Sequence, residues 1–232
     1  RQRQMCIRDS TLVETPKMVE DLRNSGLKNV MCVPNFKPIS YLPPRSLKNN
    51  VTVKRFVFMS RIIAEKGVDY IIRSVVKLNS LGWKQTFTVD FYGKCSSDYA
   101  PVFMKKIDAM ENVNYRGMLD FSHRSAYDTL ASYHAMLFPT FWKGEGFAGV
   151  FIDAYIAGLP IITTDWGHNK SILGENAYYI PPRDADALTN IMKEVIDGEK
   201  DLDSLSLRMQ LEVEKYNVSN VITEKLLNQI DL

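Results

Sequence analysis

Apolar positions along the chain switch between a helical and an extended period. From Pro16 to Leu27 the apolar residues Met18, Val19, Leu22 and Leu27 recur at helical spacing until Gly26 interrupts them, and Asn29 to Pro34 follows as a short apolar strand. From Arg55 onward the pattern predicts strands at Arg55 to Met59, Thr86 to Tyr92, Val113 to Arg116, Ala135 to Phe138, Pro160 to Thr163 and Ala177 to Ile180. Between them it predicts helices at Gly67 to Leu81, Ala100 to Ala109, Ser125 to Tyr133, Gly149 to Ala157 and Ala185 to Asp197, then two more between Leu202 and Gln229. Most of the strands are continuous apolar runs, as suits a parallel sheet covered on both faces. Such alternation predicts a doubly wound, Rossmann-like α/β domain, which binds ligands beyond the carboxyl ends of its strands.

Between Asn35 and Asn50 the rhythm stops. Pro38, Pro43, Pro44, Asn49 and Asn50 accumulate with few core-type residues, which reads as a linker and a domain boundary. The expected organisation is therefore 11–40 as the end of an amino-terminal domain, 41–52 as linker and 53–232 as a ligand-binding domain. Residues 1–10, RQRQMCIRDS, lack an initiator Met at position 1, and Met5 to Ser10 resemble a translated sequencing adapter. They are read as non-native and set aside from fold reasoning, with the expectation that the chain is a fragment of a longer protein.

The 232 residues are 45% hydrophobic and 24% charged, enough for one substantial core and unlike a disordered chain. Lys and Arg number 29 against 27 Asp and Glu, too even a balance for a nucleic-acid-binding surface, so an anionic partner must be met locally. The apolar run Tyr155 to Thr163 is broken by Gly158 and Pro160 and is too short to span a bilayer. Cys6, Cys32 and Cys95 have neither metal-ligand nor disulfide spacing, and a reducing cytoplasm is the simplest setting.

Three loops at strand carboxyl ends carry candidate chemistry. In Ser60 to Gly67, Arg61 and Lys66 pair a planar fork of donors with a compact point charge, which suits a diphosphate; the same residues read equally as surface charges flanking a helix start. In Lys143 to Ala154, Gly144, Gly146 and Gly149 let backbone approach a ligand closely. A helix beginning near Phe147 or Gly149 would aim free amides and its positive dipole end at an anion. Glu145 beside an anion needs hydroxyl donors, and sugar or ribose hydroxyls supply them. Asp153, eight residues on, reaches the same cleft, or else is an ordinary exposed helix residue. The third loop, Thr164 to Lys170, places His168 where it contacts sugar or phosphate, or where it is an exposed loop histidine. Asp184 and Asp186 form a DxD that opens a helix after Pro181 and Pro182, which makes Asp184 an N-cap rather than a metal ligand. His123 and His134 lack ligand-spaced partners. Hydrolase, protease, NTPase and dehydrogenase signatures are missing from the sequence.

In order and spacing, Arg61 to Lys66, Glu145-Gly146-Phe147 to Asp153, and Gly158-Leu159-Pro160 to Trp166 resemble the family-four, glycogen-synthase-like glycosyltransferases, a retaining family of GT-B fold. The resemblance runs from about Arg55 to Leu232, and Val13 to Pro38, with Pro34-Asn35, is similar to the end of that family's amino-terminal domain. It implies a nucleotide-sugar donor with Arg61 and Lys66 on the diphosphate, Glu145 on sugar hydroxyls, the backbone of Gly146, Phe147, Ala148 and Gly149 near the phosphates, and Asp153, where the family has Glu, on the ribose. It further implies transfer to a glycan or lipid-linked saccharide acceptor held by the missing domain, in bacterial polysaccharide biosynthesis, with no cofactor and no required metal. The setting would be cytoplasmic, with peripheral contact to the inner membrane face. A non-catalytic nucleotide- or sugar-binding module and a nucleotide-sugar epimerase are the alternatives.

Overall fold

The computed structural model describes residues 10–44, 48 and 51–226. Two parallel sheets are present. A small unit comprises β1 (Thr11–Val13), α1 (Pro16–Asn24) and β2 (Val30–Cys32), with β1 and β2 paired in register Thr11 to Val30. Thr15 caps α1 by accepting the Met18 amide, and Pro16 starts the helix where a missing N–H costs nothing.

The larger sheet has six strands: β3 (Lys54–Met59), β4 (Phe87–Tyr92), β5 (Val113–Tyr115), β6 (Ala135–Phe138), β7 (Ile161–Thr164) and β8 (Ala177–Ile180). Its order is β5-β4-β3-β6-β7-β8, all parallel, so the direction of winding reverses between β3 and β6. Helices α2 (Val68–Ser80), α3 (Ala100–Ile107) and α7 (Ala185–Ile196) pack with Phe56, Phe58, Phe91 and Ile162 on one face. On the other, α4 (Arg124–Ala131), α5 (Val150–Ala157) and α8 (Leu202–Glu212) pack with Val57, Met136, Phe138 and Ile161. Alternate residues of one strand thus feed two cores, which is why the strands read as unbroken apolar runs. Full burial of a side chain such as Phe58 or Leu137 stabilises the fold by roughly 1.5–3 kcal/mol. The buried carboxylate of the sheet, Asp90 of β4, is met by the Tyr133 hydroxyl at 2.6 Å, Asn114 Nδ2 at 2.7 Å and Arg116 at 3.3 Å.

The expected elements are present with ends shifted by a few residues. Two were not anticipated: β1, only three residues long, and α6 (Asn169–Leu173), which turns the end of the Thr164 to Lys170 loop into helix. Both are too short to show a period. Of the two helices expected after Leu202, α8 is present, and the chain then breaks into a 3-10 turn at Val213–Tyr216 and helical turns at Val218–Asn220 and Val221–Leu226; 227–229 lie outside the described residues. The described parts of the Pro-rich stretch are not a free tether. Lys37 exchanges backbone hydrogen bonds with Tyr216 and Val218, Gln210 donates to the Pro43 carbonyl, and the Lys48 amide donates to Asp203. The segment expected to be non-native lies, apart from Ser10, outside the described residues. Among those described, no helix is long and apolar enough to cross a membrane.

Candidate functional site

Where β3 and β6 part, their carboxyl ends border a cleft of about 240 Å³. Met59 and Ser60 line it from the first strand and Phe138 from the second, with Lys66, Glu145, Ala148, Gly149 and Asp153 around them. This is the crevice that strand reversal opens in any sheet of this order.

Lys66 is placed by a turn that admits glycine alone. After β3 the chain makes a 3-10 turn at Ala64–Lys66 and passes Gly67 at φ +82°, where an added Cβ would lie 2.1 Å from the Pro139 carbonyl oxygen. The Phe141 amide donates to the Glu65 carbonyl at 2.9 Å and fixes the turn to the loop after β6. Lys66 Nζ then reaches both Glu145 oxygens, at 2.8 and 2.5 Å, and Thr140 donates its hydroxyl to Glu145 Oε2 at 2.7 Å. Burial holds the Lys66 amine below the usual lysine range, opposed by Glu145, with the charge of Arg61 adding to the depression. Arg61 itself is exposed, its guanidinium 4.7 Å above the Trp142 ring.

The glycine-rich loop divides. Helix α5 starts at Val150 with Gly149 as N-cap, so Ala148, Gly149 and Val150 present its positive end to the cleft. No acceptor among the described residues takes the Ala148 or Gly149 amide. Gly146 and Phe147 face the small αβ unit instead: the Phe147 amide donates to Glu14 Oε2 at 2.8 Å, and a Cβ on Gly146 would stand 2.8 Å from that oxygen. A carboxylate therefore already occupies one amide of this loop.

Asp153 is 4% exposed and faces the cleft, which sets aside its reading as a surface residue. Burial raises its carboxyl above the ordinary aspartate range, and Lys37, with Nζ 2.5 Å from Oδ1, opposes that rise together with the Tyr127 hydroxyl. His168 precedes α6 outside the cleft lining, its Nδ1 3.4 Å from Thr15 Oγ1. Trp166 of the same loop donates Nε1 to the Trp142 carbonyl at 2.9 Å and ties it to the Glu145 loop. Asp184 caps α7 through the Ala187 amide, as its position predicts. His134 is buried in packing and His123 is exposed beside Asp120. No group of three or more His, Cys, Asp or Glu suited to a metal ion occurs among the described residues.

A larger cavity of about 790 Å³ lies between α1, β2 and Phe147, Ile172 and Tyr216. It shares no lining residue with the smaller cleft, and among the described residues that line it Arg23 is the sole basic one. Sequence reasoning did not find Glu14, Lys37, Phe121 or Tyr127. Lys37 sits in the stretch that composition marks as irregular, and none of the four belongs to a spaced motif.

A family model for "Glycosyl transferases group 1" matches residues 53–198. The phosphatidylinositol N-acetylglucosaminyltransferase gpi3 subunit of Schizosaccharomyces pombe is 25% identical over 179 residues, covering 75% of this chain and 37% of that protein. Among solved structures, Anabaena Alr3699/HepE in complex with UDP-glucose is similar at a TM-score of 0.78 and 14% identity, over 96% of this chain and 64% of that one. The S. aureus TarM G117R mutant in complex with Fondaparinux, alpha-GlcNAc-glycerol and UDP gives 0.69 and 20%, over 94% and 43%. At such identities these likenesses speak for the fold, and the chain spans between 37% and 64% of the length of these proteins. With most of the six-stranded domain inside the family match and the GT-B fold shared with such structures, the chain belongs to the group 1 glycosyl transferases.

Proposed function

We propose that the cleft binds the nucleoside diphosphate sugar of a glycosyl transfer, and that this chain supplies the donor-binding part of a retaining glycosyltransferase. The observation that carries the reading is the buried Lys66–Glu145 pair beside the uncommitted amides of Ala148 and Gly149 at the strand-order reversal. A cation and a helix start suit a diphosphate, and a carboxylate suits hydroxyl donors, in that order along one cleft. Arg61 and Lys66 would take the diphosphate, Glu145 the sugar hydroxyls, Asp153 the ribose hydroxyls and, of the Gly146 to Gly149 backbone, the Ala148 and Gly149 amides the phosphates, with His168 at the margin.

Departure of the nucleoside diphosphate builds negative charge on its β-phosphate. Cations and amides already fixed in place stabilise that charge without reorganising, which lowers the barrier relative to water. In this reading the positive side chains do the work for which other transferases use a metal, so none is required. The acceptor, a saccharide or lipid-linked saccharide, would be bound by regions that the longer relatives carry beyond the matched portion. A bacterial polysaccharide repeat assembled at the cytoplasmic membrane face fits the Ile152-Asp153-Ala154 variant of the motif.

Because solved neighbours were crystallised with UDP, UDP is the first ligand to titrate. Calorimetry with UDP, GDP and ADP, each in EDTA and again with Mn²⁺, should show one diphosphate binding equally in both buffers. Its sugar conjugate should bind more tightly than the bare diphosphate to the wild type, and no more tightly to Glu145→Gln. A folded chain that binds none of the three overturns the reading.

A further inference from the structure

Asp153 is the cleft carboxylate without a partner from the loop motifs, and its environment assigns a role to a residue outside them. Its side chain is 5% exposed on α5. Two donors converge on one of its oxygens: Lys37 Nζ at 2.5 Å and the Tyr127 hydroxyl at 3.2 Å both reach Oδ1. No described residue is hydrogen-bonded to Oδ2, while Asp153 lines the cleft.

Lys37 is held for this task by its backbone. Its amide donates to the Tyr216 carbonyl at 3.0 Å and its carbonyl accepts the Val218 amide at 2.9 Å, so the residue is bracketed by the chain's last turns. Two residues earlier, Asn35 Nδ2 donates to the Phe147 carbonyl at 3.2 Å and anchors the same segment to the glycine-rich loop. The Lys37 ammonium also lies 5.2 Å from the ring centre of Phe121, which lines the cleft. A residue held by both its backbone amide and its carbonyl, with its ammonium against two cleft-lining residues, Asp153 and Phe121, is more than a surface ion pair.

We infer that Lys37 is the positioning residue for Asp153: by engaging Oδ1 it fixes the carboxylate rotor and leaves Oδ2 turned to the ribose hydroxyls of the donor nucleotide. This inference rests on the donor-binding reading above. A buried carboxyl without a cation favours its neutral form, which accepts hydrogen bonds weakly and rotates to seek partners. Aspartate is shorter than glutamate by one methylene, and a fixed orientation is what lets the shorter side chain serve the same hydroxyls.

The test is discrimination between a ribose and a deoxyribose ligand. Whichever of UDP, GDP and ADP binds the wild type is titrated beside its 2′-deoxy counterpart, against wild type, Lys37→Arg, Lys37→Met, Lys37→Gln and Asp153→Asn. Circular dichroism checks that each variant is folded. The wild type should prefer the ribonucleotide by about tenfold, as expected for one charge-assisted hydrogen bond of about 1.4 kcal/mol. Lys37→Arg should keep most of that preference. Lys37→Met, Lys37→Gln and Asp153→Asn should bring the ratio close to one, with the affinity for the deoxynucleotide changed much less. A folded Lys37→Met or Lys37→Gln with the wild-type ratio overturns the role of Lys37 and leaves donor binding standing. A wild type that binds no nucleoside diphosphate overturns both.

Discussion

Lys66 and Glu145, 79 residues apart in sequence, form a two-pronged ion pair with each side chain only 5% exposed. It joins the loop after β3 to the loop after β6 across the reversal of strand order, so one contact both closes the fold there and sets the charge of the cleft. Removing either partner leaves a buried charge uncompensated, at a cost of roughly 3–5 kcal/mol. Lys66→Met and Glu145→Gln should each lower the urea midpoint markedly, and the double variant should lose less than the sum of the two. Strict additivity in that cycle would show that the pair is not coupled.

Arg61 differs from Lys66 in being exposed and stacked on Trp142 rather than paired with a carboxylate. Its substitution should therefore separate binding from stability. Arg61→Ala is expected to weaken binding of the nucleoside diphosphate by about 10- to 100-fold, the worth of a charge-assisted hydrogen bond, with unfolding shifted by less than about 1 kcal/mol. Equal affinity of the two chains by calorimetry would remove Arg61 from the diphosphate site.

How far the sequence reaches is set by the range of the signal. The strands of the main sheet were legible as apolar runs because the inner four are buried on both faces and the two edge strands in part, and the Arg61 to Lys66 and Glu145 to Asp153 spacings were legible because each lies within one loop and its helix. The pairings that define the site are not local. Lys66 meets Glu145, Lys37 meets Asp153 across 116 residues, and Glu14 meets the Phe147 amide across 133. No period or spacing encodes such a meeting; it follows from strand order. The same limit explains why Lys66 reads from the sequence as one of two cations for a ligand, while the structure pairs it with Glu145.

Gly67 and Gly82 offer a comparison of backbone strain with and without contact. Both have positive φ, +82° and +89°, but a Cβ at Gly67 would meet the Pro139 backbone at 2.1 Å, whereas at Gly82 nothing lies within 4 Å. Gly82→Ala should cost about 1–2 kcal/mol, the left-handed penalty alone. Gly67→Ala should cost clearly more and should also weaken nucleotide binding, because relieving the clash moves the turn that carries Lys66. Equal stability losses in denaturant titrations would show that the β6 loop yields freely.

His134 gives a pH test of the fold independent of the cleft. It directly precedes β6 beside the start of β3, where its Nδ1 accepts the Arg55 amide at 2.8 Å and its own amide donates to the Arg55 carbonyl at 2.8 Å. Burial, then the charges of Lys54 and Lys48, push its imidazole down to about 4. The unfolded chain takes up this proton near pH 6.5, so between about 6.5 and 4 the unfolded state holds a proton that the native state refuses. The stabilising contribution is whole above 6.5 and is lost as pH falls toward 4, with a slope of at most about 1.4 kcal/mol per pH unit. A glutamine can accept the Arg55 amide through Oε1 without titrating. The stability of wild type minus that of His134→Gln should hence be level above pH 7, decline between 6.5 and 4, and level again below. Carboxylates titrate in that window in both chains and largely cancel in the difference. A difference curve that stays flat from pH 7 to 4 would mean that the folded protein accepts the imidazolium, and that the Arg55 amide and the cations around His134 rearrange to receive it.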